Sequence, residues 1–238
     1  MNVVISQPMF FPWPGFLEQI RLADAYVHYD DVQFSKGSFT NRVQIKTPEG
    51  FMWLTAPLHN LTLGQRIMDV RIDNSKDWQA RHLELLCKYY GSAPYADDML
   101  GIVRTVYAKK TESLVEIAIA SMSALLEYFG IAANAKFFFS SMLGIPGKGS
   151  RRVLDIVKSL GGTTYITGHG ARNYLEHEVF EAQGVRTEYI DYLKTPYPQQ
   201  FGPFNPYVSS LDLIANMGKA GKDMLRSGTL YWKDFLKT

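Results

Sequence analysis

Short apolar runs, loops and longer stretches of helical spacing succeed one another along this chain. Asn2 to Ile5 is an apolar run ahead of Gln7-Pro8, followed by an aromatic loop and a helical pattern from about Gly15 to Ala23, so the chain opens as strand, loop and helix. Ala25 to Tyr29 reads as a second strand that ends on Asp30-Asp31. Asn41 to Lys46 and Phe51 to Ala56 flank Thr47-Pro48-Glu49-Gly50, a turn signal that predicts a hairpin. The pattern is helical from Ser75 to Tyr90 and from Thr111 to Phe129, where Leu114, Ala118, Met122, Leu125 and Phe129 share one face before Gly130.

The last third alternates. Ala135 to Ser140, Thr163 to Thr167 and Val185 to Asp191 read as strands, with helices over Ser150 to Leu160 and Ala171 to Gln183 between them. Such alternation predicts an α/β fold with a mostly parallel central sheet and covering helices. Tyr192 to Pro206, rich in proline and aromatics, is expected to lie over the body as an irregular segment before a last helix at about Leu211 to Met217. The expectation is one unit over 1–238 with a helical middle section at about 75–130. Neither an internal repeat nor a low-complexity tract interrupts it.

Composition narrows the function classes. With 238 residues and 46% hydrophobic content the chain can bury a substantial core, and a net charge of +2 makes no demand for DNA or an anionic membrane. Cys87 is the single cysteine, which excludes an internal disulfide framework and a multi-cysteine metal centre and fits a reducing compartment. No cationic start precedes a long apolar run, and no segment reaches about 18 uninterrupted apolar residues, so a cytoplasmic protein without membrane insertion is expected.

Four constellations carry candidate chemistry. In Ser6-Gln7-Pro8-Met9-Phe10-Phe11-Pro12-Trp13-Pro14-Gly15-Phe16, three prolines stiffen an aromatic loop, Trp13 is placed to stack on a ring or cover a sugar, and the helix start near Gly15 offers free N–H groups to an anion. The alternative is a buried connection. Asp30-Asp31-Val32-Gln33-Phe34-Ser35-Lys36, with Asn41-Arg42 and Lys46, supplies carboxylates, amides and cations suited to acid/base work or a polyhydroxylated substrate, against the alternative of a solvated hairpin.

Gly147-Lys148-Gly149-Ser150-Arg151-Arg152 places glycines, a serine and three cations at a helix start, which makes Lys148, Ser150 and Arg151 phosphate-binding candidates. It is not a Walker loop, since the early glycine is missing and Gly149 follows Lys148. Tyr165-Ile166-Thr167-Gly168-His169-Gly170-Ala171-Arg172-Asn173-Tyr174 runs from a strand into a glycine-flanked histidine able to transfer protons near neutral pH.

Other chemistries lose ground. His28, His59, His82 and His177 lack metal-ligand spacing, so no metal site is expected. Cys87, beside Leu85, Leu86 and Tyr90, reads as a buried core thiol. Neither a Gly-x-Ser-x-Gly elbow nor a Gly-x-Gly-x-x-Gly fingerprint occurs.

Taken together, Ile5-Ser6-Gln7-Pro8, Pro12-Trp13-Pro14-Gly15-Phe16, Asp30 to Lys36, Asn41-Arg42 and Trp53-Leu54-Thr55-Ala56-Pro57 resemble the ordered motifs of the WbqC-like family. Tyr165 to Gly170 with Tyr174, Tyr197 with Gln199, and Ser209 to Asn216 with Gly218 extend the likeness over nearly the whole chain. Several members occur among genes for bacterial surface polysaccharides, so the resemblance implies a transferase that modifies an amino sugar, for instance by aminoacylation.

A small-molecule substrate such as a nucleotide-linked amino sugar would be bound by Gln7, Trp13, Gln33, Lys36, Asn41, Arg42, Tyr165 and Asn173. Amine acylation needs a base, for which Asp30, Asp31 and His169 are the candidates, and a donor to an oxyanion, for which Lys36 and Asn41 are. The layout also looks faintly like nucleotidyltransferases of the His-x-Gly-His type, with Trp13 and Phe16 in the places of both histidines. A non-catalytic sugar- or partner-binding protein is the other alternative. The sequence assigns no cofactor and no oligomeric state.

Overall fold

Val3, Val4 and Ile5 are all buried, as an apolar run covered on both faces requires, and they form the middle of the sheet. The computed structural model describes residues 1–132 and 134–238. In chain order the elements are β1 (Asn2–Ser6), α1 (Pro14–Arg21), β2 (Ala25–His28), β3 (Arg42–Thr47), β4 (Gly50–Thr55), β5 (Leu58–His59), β6 (Arg71–Ile72), α2 (Trp78–Tyr90), α3 (Ala96–Tyr107), α4 (Leu114–Phe129) and β7 (Lys136–Phe139). They continue with α5 (Ser140–Leu143), α6 (Gly149–Ser159), β8 (Thr164–Thr167), α7 (His177–Glu181), β9 (Arg186–Asp191), α8 (Ser210–Met217), β10 (Gly228–Tyr231) and α9 (Trp232–Phe235).

Among the described residues the main sheet has the order β10-β9-β8-β1-β2-β7. All its pairings are parallel except β9 with β10. From β1 the chain moves outward through β2 to β7, then returns to β8 on the other flank of β1. The strand order therefore reverses between β1 and β8, and the carboxyl ends there face the crevice where open α/β sheets receive ligands.

Alternating side chains divide the core in two. Val4, Tyr26 and Ile166 face α1, the hairpin β3–β4 and the helices α2–α4 and α8. Val3, Ile5, Val27 and Tyr165 face α6, α7 and α9. In α4, Ser113 caps the helix by accepting from the Glu116 N–H at 3.4 Å, and Gly130 ends it with φ 59°.

Three features depart from the sequence-based expectation. The helix expected over Ala171 to Gln183 is a 3-10 turn, His169–Asn173, followed by the short α7. The cause is Ser150, whose Oγ accepts from the Glu176 N–H at 3.0 Å and lies 3.4 Å from the Tyr174 carbonyl, taking the place of helical bonds there. A further helix, α3, joins the helical middle, burying Met99, Val103 and Val106. The antiparallel edge strand β10 and the two-residue strands β5 and β6 are also additional.

Tyr192 to Pro206 is irregular, as expected, and is tied down through polar groups. Lys46 Nζ donates to Gln199 Oε1 at 3.1 Å and to the Pro203 carbonyl at 2.6 Å. Tyr197 donates to Asp212 at 2.8 Å, and Tyr90 to the same carboxyl at 2.9 Å. Asp212 is fully buried, and burial pushes its pKa up to about 6 against the opposing pull of the two tyrosine hydroxyls and Lys46. No helix among the described residues is long and apolar enough to cross a membrane.

Candidate functional site

The loop leaving β1 is strained and over-determined. Phe11 is buried with φ 40°, a conformation that disfavours a bulky side chain, and it is held because its N–H donates to Ser121 Oγ at 2.8 Å while Ser209 Oγ donates to its carbonyl at 2.8 Å. Gln7 stands directly after β1, at the point of strand reversal. Trp13 precedes α1, and its indole lies over Gly15 so closely that a Cβ there would stand 2.1 Å from the ring. Tyr192 and Tyr207 flank the indole at 5.5 and 5.9 Å. The half-buried Trp13 thus covers the first turn of α1 with aromatic surface. Phe16 is 4% exposed, within the core.

Asp30 and Asp31 leave β2 toward the start of α5. Asp30 accepts from Ser140 Oγ at 3.0 Å, the Ser141 N–H at 3.0 Å and Ser141 Oγ at 2.7 Å. Asp31 lies 2.6 Å from the same Ser140 Oγ and receives both terminal nitrogens of Arg152, at 3.0 and 2.5 Å. Burial works against ionisation of Asp31, but the hydrogen bonds from Arg152 and Ser140 together with the Arg152 charge hold its carboxyl below the ordinary range. Asp31, Ser140, Ser141, Gly147 and Arg152 border a recess of about 340 Å³.

The glycine-cation run at the start of α6 is divided by the fold. Gly147 and Gly149 adopt φ of 103° and 62°, open to glycine at little cost. Lys148 is exposed, Arg151 turns outward to Asp155 at 3.2 Å, and Ser150 is occupied with the 174–176 backbone. Arg152, not singled out among the phosphate candidates, is the cation that enters the recess. Its helical position, one residue round from Arg151, was the available signal.

A second, larger cleft of about 920 Å³ opens between residues 33–42 and 55–64. Two staples frame it. Phe34 N–H donates to the Gln65 carbonyl at 2.8 Å and Ile67 N–H to the Val32 carbonyl at 2.9 Å at one end. At the other, Ala56 N–H donates to the Asn41 carbonyl at 2.8 Å and Asn41 Nδ2 to the Ala56 carbonyl at 3.0 Å. Gln33, Lys36, Asn41 and Arg42 line this cleft together, so the structure gathers four of the sequence candidates. Arg42 donates to the Gly37 carbonyl and lies 4.0 Å above the Trp53 ring, which in turn meets Phe39 at 5.5 Å. Neither Lys36 nor Arg42 has a carboxylate partner among the described residues, and no acid lines the cleft.

His169, Tyr165 and Asn173 line neither cavity. His169 Nε2–H donates to the Ile190 carbonyl at 2.8 Å, and its ring lies 4.8 Å from Phe235. Tyr165 is buried, stacks on Phe180 at 5.4 Å and donates to Thr167 at 3.3 Å. Asn173 ends the exposed 3-10 turn. Asp30, Asn41 and His169 therefore make their hydrogen bonds in three different parts of the fold. Among the described residues no group of three or more His, Cys, Asp or Glu is placed to hold a metal ion.

Cys87 is exposed, which corrects its reading as a core thiol. The buried stripe of α2 is Trp78, His82, Leu86 and Tyr90, four residues apart, and Cys87 stands one position round the helix from it. His82 is the buried polar member, bonded to Tyr107 Oη at 2.8 Å, with burial lowering its pKa to about 4.

Comparison with known proteins adds the family context. The profile of the WbqC-like protein family matches residues 7–224. An uncharacterized protein of Mycobacterium tuberculosis is 30% identical over 228 residues, covering 94% of this chain and 97% of that protein. No solved structure matches the chain significantly.

Proposed function

The chain belongs to the WbqC-like protein family, and from that premise we propose that it is a transferase modifying an amino sugar of bacterial surface polysaccharide, bound in nucleotide-linked form in the 33–42/55–64 cleft. The observation that supports this reading is the pair Lys36 and Arg42, two cations without carboxylate partners on an acid-free wall of a cleft of about 920 Å³. Such a volume suits a nucleotide sugar. The guanidinium, oriented by Gly37 and Trp53, presents a planar fork to a diphosphate, while Lys36 supplies a mobile charge. Gln33 and Thr55 add neutral groups for sugar hydroxyls. Asn41 serves this site as a frame, through its bonds to Ala56.

A second reading is favoured by a specific observation. Asp30 and Asp31 are saturated by Ser140, Ser141 and Arg152, which suits a binding protein of the same pathway better than a general base. Substitution separates the two. Thermal-shift and native mass measurements with uridine- and thymidine-diphosphate amino sugars are expected to show selective binding over the parent nucleotides, lost in Lys36→Ala and Arg42→Ala. Formation of an acylated sugar by the wild-type protein supports the transferase, and Asp31→Asn, assayed well below its lowered melting temperature, loses it if Asp31 takes part in the chemistry. Retained product formation in that variant removes Asp31 from the chemistry, and absence of binding by any nucleotide sugar sinks the proposal.

A further inference from the structure

The 33–42/55–64 cleft also has an apolar side. Leu58 and Leu61 are half-buried and rest on the main core, but Leu63 is 98% exposed and still lines the cleft. It sits in a turn with Asn60 at φ 44° and Gly64 at φ 83°, held by the Thr62 N–H donating to Gln65 Oε1 at 3.1 Å. A polar residue at position 63 would satisfy that turn equally well, so the leucine contributes nothing evident to the fold. The aromatic ring lining the cleft, Phe34, is 6% exposed and has no open face for stacking. The apolar surface on offer therefore suits a flexible chain rather than a planar ring. It adjoins Lys36 and Arg42 in a space without acids.

We infer that this cleft receives a ligand in which an aliphatic chain adjoins an anionic group, the chain lying along Leu58, Leu61 and Leu63 and the anion at Lys36 and Arg42. The inference rests on the cleft being the ligand site of the proposed transferase and assigns it a second ligand class, which takes the place of the sugar nucleotide at Lys36 and Arg42 rather than sitting beside it. An isoprenoid phosphate has this chemistry, its hydrocarbon chain running directly into the anion. The charge matches because both cations face an otherwise neutral wall, and the shape matches because leucines accommodate a chain with several rotamers at little strain.

The test is a calorimetric titration of the full chain with butyl, hexyl and octyl phosphate below their aggregation concentrations, with inorganic phosphate as reference. The expected result is affinity rising about fourfold per methylene, as for progressive burial of CH₂ groups. In Leu61→Asn/Leu63→Asn, whose side chains are half-buried and exposed, the chain-length dependence flattens while competition by inorganic phosphate is unchanged. Affinity independent of chain length, or an unchanged slope in the double variant, overturns the inference. If alkyl phosphates fail while diphosphate amino sugars bind, the chain-binding side is wrong and the sugar site stands; if neither binds, the cleft is not the ligand site and both ideas fall. Farnesyl phosphate is expected to displace octyl phosphate, and failure to do so overturns the isoprenoid assignment.

Discussion

Arg152 grips Asp31 through both terminal guanidinium nitrogens, at 3.0 and 2.5 Å, joining positions 121 residues apart in sequence. The pair closes the carboxyl end of β2 against the start of α6 and holds the 29–31 turn that leads into the 33–42 wall of the large cleft. Both side chains are largely out of solvent, at 9% and 15% exposure, so neither is easily rehydrated if its partner is lost.

Arg152→Gln is therefore expected to cost about 3 kcal/mol, since it leaves a shielded carboxylate without its counter-ion. For a domain of this length that corresponds to a melting temperature lower by roughly 6–12 °C. Asp31→Asn should cost a comparable amount, and the double variant less than the two singles added. Thermal unfolding of the four proteins checks this, and additive losses would show that the contact is not coupled.

Asp212 predicts a pH dependence of definite sign. Its folded-state pKa of about 6 lies above the ordinary 3.8, so the native protein holds this proton more tightly than the unfolded chain does. The contribution to stability is complete below about pH 4 and is lost as pH rises through 6, by about 3 kcal/mol across the window. Urea unfolding at pH 4.5 and pH 7.5 should show a smaller loss over that interval in Asp212→Asn than in the wild type. Parallel curves for the two proteins would contradict the assignment.

Gly15→Ala should destabilise the protein by about 2 kcal/mol, because the added methyl meets the Trp13 indole at 2.1 Å and must displace it from Tyr192 and Tyr207. Gly15→Ala placed on a Trp13→Ala background should cost much less. Stability measured around this cycle, with the tryptophan emission as a second readout, tests whether the indole is the obstructing group.

His169→Ala is expected to lower stability by about 1 kcal/mol through loss of the bond to the Ile190 carbonyl, while leaving ligand affinity at the 33–42/55–64 cleft unchanged. Parallel measurement of unfolding and of octyl phosphate or diphosphate amino sugar binding decides it. A fall in affinity with no fall in stability would return His169 to the ligand site.

Much of the fold was legible because local chemistry and tertiary demand agree. The buried run Val3-Val4-Ile5 reads as a central strand, the Thr47 to Gly50 turn joins strands that pair from Arg42↔Thr55 to Thr47↔Gly50, and Gly130 marks the end of α4. The irregular proline-rich tail was readable for the same reason: its backbone preferences are set by neighbours in sequence. Gln33, Lys36, Asn41 and Arg42 also lie close enough in sequence for one loop to bring them to one wall.

What only the tertiary structure decided depends on groups that meet across long stretches of chain. Ser150 interrupts a helix 26 residues away, because a hydroxyl can replace backbone partners that periodicity assumes. Arg152 rather than Arg151 reaches Asp31, a choice set by helix rotation and by where α6 lands. Cys87 is exposed though its neighbours are apolar, since burial follows the face of α2 that meets the core and not local hydrophobicity. The sequence by itself determined the family, the α/β class and the identity of the polar groups; the packing of distant elements determined which of those groups share a cavity, because side-chain direction is a property of the assembled fold.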